Sequence, residues 1–272
     1  MLPTMGEYVL GTSDHELARL ELQHEVWAEI SEGFLDRLDI RPGMRCLDVG
    51  CGPGFVVRSL RERVGAGGEV VALDESERWI RRIEETGRSE GWDNVRTVHG
   101  DVRETELPPG RFDLIHMRWV LGFLPRPEEI LARLSTALVP GGALAVMDYN
   151  HEGVSIFPRS DGFRAAIQAT RDLYATRGGD TWIMGRIFEL FRGAGLEPDF
   201  IAPHVIAGAP GSPALRWADA FFPFHTDGMV EAGVLSPENR ELFLREWEQL
   251  LSNPDTLFFS PIVAGAAARK RA

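Results

Sequence analysis

Seven consecutive residues, Asp48-Val49-Gly50-Cys51-Gly52-Pro53-Gly54, constrain this chain more than any other feature. The short apolar run Cys46-Leu47-Asp48-Val49 reads as a buried strand that ends in glycines, and residues 55–64 read as the helix that follows. Glycine suits such a junction because a bound ligand can then approach the backbone with no Cβ in the way. The start of the helix offers free N–H groups and partial positive charge. A dinucleotide-binding loop, G-x-G-x-x-G, needs a third glycine at position 55, where this chain has Phe55. The spacing is instead G-x-G-x-G, with an acid two residues ahead of it.

Strands and helices alternate from there. Residues 69–73 read as a second strand, Ser76 as the cap of a helix ending near Gly87, and 95–99 as a third strand. Residues 112–119 read as a fourth strand. Pro127-Glu128-Glu129 opens a helix that Pro140-Gly141-Gly142 ends, and 143–147 form a fifth strand. Ahead of them lies a long amphipathic helix. Ser13 and Glu16 form its capping box, and Leu17, Leu20, Trp27, Ile30, Phe34 and Leu38 its apolar stripe. Beyond 150 the spacing predicts two helices within 161–195, a strand near 199–207 and a last strand over 257–264. Two further helices open at Ser212-Pro213 and Ser236-Pro237. Alternation of this length implies an α/β fold, doubly wound on a mostly parallel sheet with helices on both faces.

Charge narrows the function classes. The chain carries 29 basic and 41 acidic residues, a net −12, which argues against nucleic acid and anionic membranes as partners. Lys270 is the only lysine, so a phosphate-loop, kinase or Schiff-base lysine inside the fold is excluded. It belongs to Arg269-Lys270-Arg271, which reads as a solvated tail. Two cysteines, Cys46 and Cys51, support neither a disulfide framework nor a four-cysteine metal site, and free thiols fit a reducing compartment. The start of the sequence has no basic residue before Arg19 and no sustained apolar run, so neither a signal peptide nor a membrane helix of roughly 18 residues is expected. The expected location is cytoplasmic.

Two more acids complete the pattern. Asp74, with Glu75 beside it, ends the second strand, where a carboxylate can bond the vicinal hydroxyls of a ribose. Asp101 follows Gly100 at the end of the third strand, where it can accept from an adenine amino group while the Val102 N–H donates to the ring. Taken singly, Asp74 is explained as a helix-start acid and Asp101 as a turn aspartate. Together with the glycine loop they mark the carboxyl ends of successive strands, where open α/β sheets bind ligands.

This ordered set resembles the class I S-adenosylmethionine-dependent methyltransferases. The glycine loop matches their first motif, Asp74 their ribose acid, and Gly100-Asp101-Val102 their adenine loop. The Phe112-Asp113-Leu114-Ile115-His116 strand and the Leu138-Val139-Pro140-Gly141-Gly142 turn match later motifs, so the likeness spans about residues 40–150. The opening segment and the tail look similar to small-molecule methyltransferases of bacterial biosynthetic pathways. The resemblance implies a Rossmann-like seven-stranded sheet whose last strand is antiparallel, and S-adenosylmethionine as cofactor. It implies a cofactor site built from Asp48, Gly50, Cys51, Gly52, Gly54, Asp74, Glu75, Gly100, Asp101 and Val102. The end of the fourth strand, His116 to Trp119, would border the methionine part, with Arg118 as the candidate contact and the Trp119 ring shielding the sulfonium. One overall domain is expected: an N-terminal helical cap over 1–38, a cofactor-binding core over 39–150, and the rest of the sheet with inserted lid helices over 151–272.

Methyltransferases that act on amide or base amino groups usually carry Asn/Asp-Pro-Pro-aromatic after the fourth strand. Here the chain reads Arg118-Trp119-Val120-Leu121-Gly122. The presumed lid is rich in aromatics: Phe157, Phe163, Tyr174, Trp182, Trp217, Phe221, Phe222 and Phe224. The expectation is in-line methyl transfer to a small apolar or aromatic acceptor, with Tyr149, His151 and His225 as candidate bases and Asp148 as a further option. The alternatives are an NAD-type oxidoreductase, a non-catalytic S-adenosylmethionine-binding accessory protein, and a cyclisation that keeps the cofactor. A homodimer stays open. Gly87-Arg88-Ser89-Glu90-Gly91 imitates a hydrolase nucleophile elbow, but that elbow needs a strand before the serine, and residues 79–86 read as helix. His15-Glu16 lacks the second histidine of a zinc helix, so no metal is expected.

Overall fold

The structure, a computed structural model, describes residues 13–271. Helix α1 (Asp14–Asp36) starts where Ser13 Oγ accepts the Glu16 N–H at 3.2 Å. Glu16 does not close the expected capping box. Its carboxylate instead takes Arg19 Nε at 2.8 Å and Nη2 at 2.7 Å. The buried face of α1 is Glu16, Arg19, Gln23, Trp27, Ser31, Phe34 and Leu35, while Leu17, Leu20 and Ile30 are half-buried. The predicted stripe is thus rotated, because the polar groups satisfy one another inside: Gln23 Oε1 accepts from Arg19 Nη1 at 3.0 Å.

Strand β1 (Arg45–Val49), α2 (Phe55–Val64), β2 (Glu69–Asp74), α3 (Glu77–Glu90) and β3 (Val95–His99) follow the predicted alternation. α3 runs past Gly87 and stops at Gly91, which takes the left-handed conformation at φ 69°. Then come β4 (Phe112–Arg118), α4 (Pro127–Ala137) and β5 (Leu138–Asn150). β5 starts earlier than the sequence suggests and contains Pro140-Gly141-Gly142. Phe112 pairs Leu138 and Leu114 pairs Ala143, so two steps of β4 face five of β5, and the bulge gives the proline a place without a ladder donor.

The remainder comprises β6 (Ser155–Phe157), α5 (Asp161–Ala175), α6 (Ile187–Gly193), β7 (Leu196–His204), β8 (Ala207–Gly208), α7 (Pro213–Glu231), α8 (Pro237–Ser252), β9 (Leu257–Phe259) and β10 (Ile262–Lys270). Ser212 and Ser236 cap α7 and α8 as read from their Ser-Pro pairs. The single last strand expected over 257–264 is two strands, separated at Ser260-Pro261, where the proline lacks a donor.

The main sheet has the order β3-β2-β1-β4-β5-β10-β7. β1 to β5 run parallel, and β10 lies antiparallel between β5 and β7. Side chains alternate between its two faces: Cys46, Leu114 and Ala145 enter the layer with Trp27 and Phe34 of α1, while Leu47, Ile115 and Val146 enter the layer with Leu134 of α4 and Phe191 of α6. A small antiparallel sheet, β6-β9-β8, sits apart. The basic run at 269–271 is not a free tail. Arg269 pairs with Asp199 at 3.2 Å and Arg271 with Glu197 at 3.1 Å. Lys270 Nζ donates to the carbonyls of Ser135 at 2.9 Å and Leu138 at 2.8 Å, closing the C-terminal end of α4. No helix among the described residues is long and apolar enough to cross a membrane.

Candidate active site

The glycine loop is tied to β2. Gly50 N–H and Cys51 N–H both donate to the Leu73 carbonyl, at 2.8 and 3.1 Å. Gly50 has φ 62°, and a Cβ there would lie 2.4 Å from Val120 Cγ2. Gly54, the N-cap of α2, has φ 91°, and its Cβ would lie 2.8 Å from Ile83 Cγ1. Both glycines are therefore demanded by protein packing as well as by backbone conformation. Gly52 is the one that leaves room, since a Cβ there meets nothing within 4 Å.

Below the loop lies an open cleft. Asp48, Gly50, Cys51, Gly52, Asp74, Glu75, Gly100, Asp101, Val102, Arg118 and Trp119 all line it; of the expected set, Gly54 alone does not. Sequence reasoning missed Leu20 and Gln23 of α1, Trp79 of α3, and Phe123 and Leu124 after β4. Their spacing is that of ordinary helix and loop residues, and only the tertiary fold brings them here.

The carboxylates differ in their surroundings. Asp74 Oδ2 accepts the Gly52 N–H and Oδ1 the Ser76 N–H, each at 2.8 Å. Burial still outweighs these bonds and raises its pKa above the ordinary carboxylate value. Burial likewise raises Glu75, helped by the charges of Asp101 and Asp74. Burial opposes ionisation of Asp101 too, but Arg103 donates to it through Nε at 2.7 Å and through its backbone N–H at 2.8 Å, and the pKa ends below the ordinary value. Asp48 and His116 are register partners on β1 and β4, and His116 Nδ1 lies 2.8 Å from Asp48 Oδ1 in a fully buried pair. Arg118 Nη1 donates to Ser31 Oγ at 3.0 Å, and its guanidinium sits 4.7 Å from the Trp119 ring. Burial pulls the Arg118 pKa down to about 10. Trp119 holds φ 55°, an uncommon conformation for a bulky residue, at the carboxyl end of β4. The Cys51 thiol is driven well up by burial and by Asp74 and Asp48, so it stays neutral.

The three candidate bases do not converge. Tyr149 and His151 line a second cavity beyond Trp119. His225 lines neither space; its Nδ1 is 2.7 Å from the Phe221 carbonyl, and burial lowers its pKa to about 4. Asp148 is fully buried below the 120–122 turn and accepts the Gly122 N–H at 3.0 Å and the Tyr149 N–H at 2.8 Å. Burial raises its pKa to about 6 against the pull of those N–H groups. Of the aromatics beyond residue 150 singled out from the sequence, Trp217, Phe221, Phe222 and Tyr174 face the second cavity, Phe163 is core, and Phe157, Trp182 and Phe224 are exposed. Gly87 to Glu90 lie within α3, with Ser89 Oγ bonded to the Thr86 carbonyl, so the hydrolase-like motif is helix. Among the described residues no three acids, histidines or cysteines group as metal ligands.

Sheet order, glycine loop and strand-end acids together define a class I S-adenosylmethionine-dependent methyltransferase fold. Residues 40–190 match the methyltransferase domain family, and the chain belongs to it. It is 33% identical over 122 residues to nocamycin O-methyltransferase of Saccharothrix syringae, covering 45% of this chain and 44% of that protein. It is 30% identical over 135 residues to demethylmenaquinone methyltransferase of Staphylococcus aureus, covering 50% and 54%. The chain thus matches about half the length of these curated relatives. A crystal structure of an S-adenosylmethionine-dependent methyltransferase from Aquifex aeolicus superposes with a TM-score of 0.54 at 23% identity, over 70% of this chain and 93% of that one. The cyclase SpnF superposes with a TM-score of 0.58 at 18% identity, over 90% and 80%. One fold therefore carries more than one reaction.

Proposed function

We propose that the chain transfers the methyl group of S-adenosylmethionine to a small organic acceptor, apolar or aromatic, by in-line displacement. The observation that carries this reading is the cleft itself: Asp48, Asp74, Glu75 and Asp101 supply carboxylates, Arg118 supplies one half-buried cation, and Trp119 and Phe123 add aromatic walls. That donor set fits the cofactor. Asp74 and Glu75 would hold its ribose hydroxyls, Asp101 and the Val102 N–H its adenine, and Arg118 its carboxylate. Asp48, fixed by His116, would face its cationic half. The open space at Gly52 allows close approach to the backbone.

When bound, the cofactor supplies an electrophilic methyl group on a thioether leaving group. The chain's part is to align and to exclude water. Trp119 presents a ring face where positive charge is shielded, and the aromatic wall beyond it favours an apolar acceptor. The acidic net charge and the small-molecule names of the curated relatives support the same reading. The test is transfer of labelled methyl from the cofactor in a bacterial extract. Label in an organic-extractable small molecule supports the proposal, and label confined to RNA or protein refutes it.

A further inference from the structure

The second cavity, with room for a few water molecules as the side chains now stand, lies beneath α5 and α7. Tyr149 and His151 from the end of β5, Tyr174 from α5, and Trp217, Phe221 and Phe222 from α7 form most of its wall, and no acidic or basic chain other than His151 lines it. Three side-chain contacts separate it from the cofactor cleft. Trp119 of the cleft stacks on Tyr149, ring centres 6.0 Å apart. Phe123 of the cleft meets Tyr174 at 4.4 Å. Trp217 Nε1 donates to Gln23 Oε1, also of the cleft, at 3.1 Å. The partition is made of side chains, so rotamer changes can join the two spaces without moving the sheet.

His151 is the one ionisable imidazole in this largely aromatic wall, which also holds Thr170 and two tyrosines. Its backbone is fixed at both ends: the N–H donates to the Thr181 carbonyl at 3.0 Å, and the carbonyl accepts Arg171 Nη2 at 2.7 Å. The residue is 7% exposed, and its ring Nδ1 has no hydrogen-bond partner among the described residues. Burial, and then the Arg171 charge, lower its pKa to about 3, so the imidazole is neutral and keeps one lone pair and one N–H. A buried polar atom without a partner is costly, and a ligand that satisfies it gains affinity. A neutral ring offers no charge to pair, while the surrounding aromatics offer faces and edges for another ring.

We propose that this cavity, widened toward the cleft by rotation of the partition side chains, is the acceptor site and that His151 selects a flat, uncharged aromatic ring system bearing a hydroxyl, held by a hydrogen bond to the imidazole and turned toward the Trp119 partition. This rests on the methyl-transfer reading for its purpose, but not for its test. The probes are naphthol and naphthalene, titrated against the whole chain by quenching of tryptophan fluorescence, with and without S-adenosylhomocysteine. Naphthol should bind about tenfold tighter than naphthalene, the worth of one buried hydrogen bond. His151→Phe should abolish that preference while naphthalene still binds, His151→Gln should keep part of it, and Thr170→Val, in the same wall, should leave it intact. Ala218→Leu should weaken both probes without changing S-adenosylhomocysteine affinity. Equal binding of the two probes, or a preference that survives in His151→Phe, overturns the proposal. So does loss of the preference in Thr170→Val, or unaltered binding in Ala218→Leu. Failure of the wild-type chain to bind S-adenosylhomocysteine would instead refute the cofactor reading, while the probe preference still reads out on its own.

Discussion

Replacing Asp74 by asparagine separates binding from stability. The carboxylate is 8% exposed and accepts two backbone N–H groups, from Gly52 and Ser76, at 2.8 Å each. Asparagine keeps one acceptor and turns an NH2 toward the other N–H, which loses its partner at about 1–3 kcal/mol. Against this, the raised pKa of Asp74 means that its buried charge already costs stability at neutral pH, and the neutral amide removes that cost. The two effects oppose, so the net change in folding stability should stay within about 1 kcal/mol. Cofactor binding has no such compensation. A ribose hydroxyl that loses a charged acceptor forfeits about 1.5–3 kcal/mol, roughly 10- to 150-fold in affinity. Calorimetric titration with S-adenosylhomocysteine and a urea melt of the same samples measure both. Affinity within twofold of wild type in a folded variant would refute the ribose assignment. A loss of affinity matched by an equal loss of stability would make Asp74 only a strut for the loop.

Other outcomes follow from the same geometry. Gly50→Ala adds left-handed strain of about 1–2 kcal/mol and a clash with Val120 of about 1–3 kcal/mol, so denaturant melts should show about 2–5 kcal/mol lost, with Val120→Ala returning only the clash. Arg118→Gln should weaken S-adenosylhomocysteine binding about tenfold and leave methylthioadenosine, which lacks the carboxylate, unchanged; equal losses would remove Arg118 from that role. The His151 ring accepts its proton near pH 3 when folded and near 6.5 when unfolded, so acidification below 6.5 favours the unfolded chain. At pH 5 this amounts to about 2 kcal/mol, and His151→Phe should show that much less acid loss than wild type between pH 7.5 and pH 5 in urea melts. Asp148 acts in the other direction, because its folded pKa of about 6 exceeds the ordinary 3.8 and acidification relieves its buried charge; the stability of Asp148→Asn relative to wild type should therefore rise as pH goes from 4 to 7, and a constant difference would contradict it.

Local chemistry made much of the fold legible. Ser13, Ser76, Ser212 and Ser236 each bind an N–H at the helix start that the sequence marks. The glycine loop and the strand-end acids were readable because parallel strands deliver their carboxyl ends to one edge. What stayed hidden depends on partners distant in sequence. Asp48 and His116 stand 68 positions apart and meet only through the β1–β4 register. The inward polar face of α1 depends on Trp217 meeting Gln23 from α7. The bulge around Pro140 depends on what β4 offers opposite it. The second cavity needs α5 and α7 to close over the end of β5, and no short motif encodes that packing.

The solitary lysine has a practical consequence. Every other basic side chain is arginine, so amine-directed reagents find one side-chain target besides the α-amino group. That target donates to carbonyls at the junction of α4 and β5, on the last strand of the main sheet. Its reaction rate with an acylating label therefore reports how often this seam comes apart, giving a built-in gauge of local unfolding with no engineered tag.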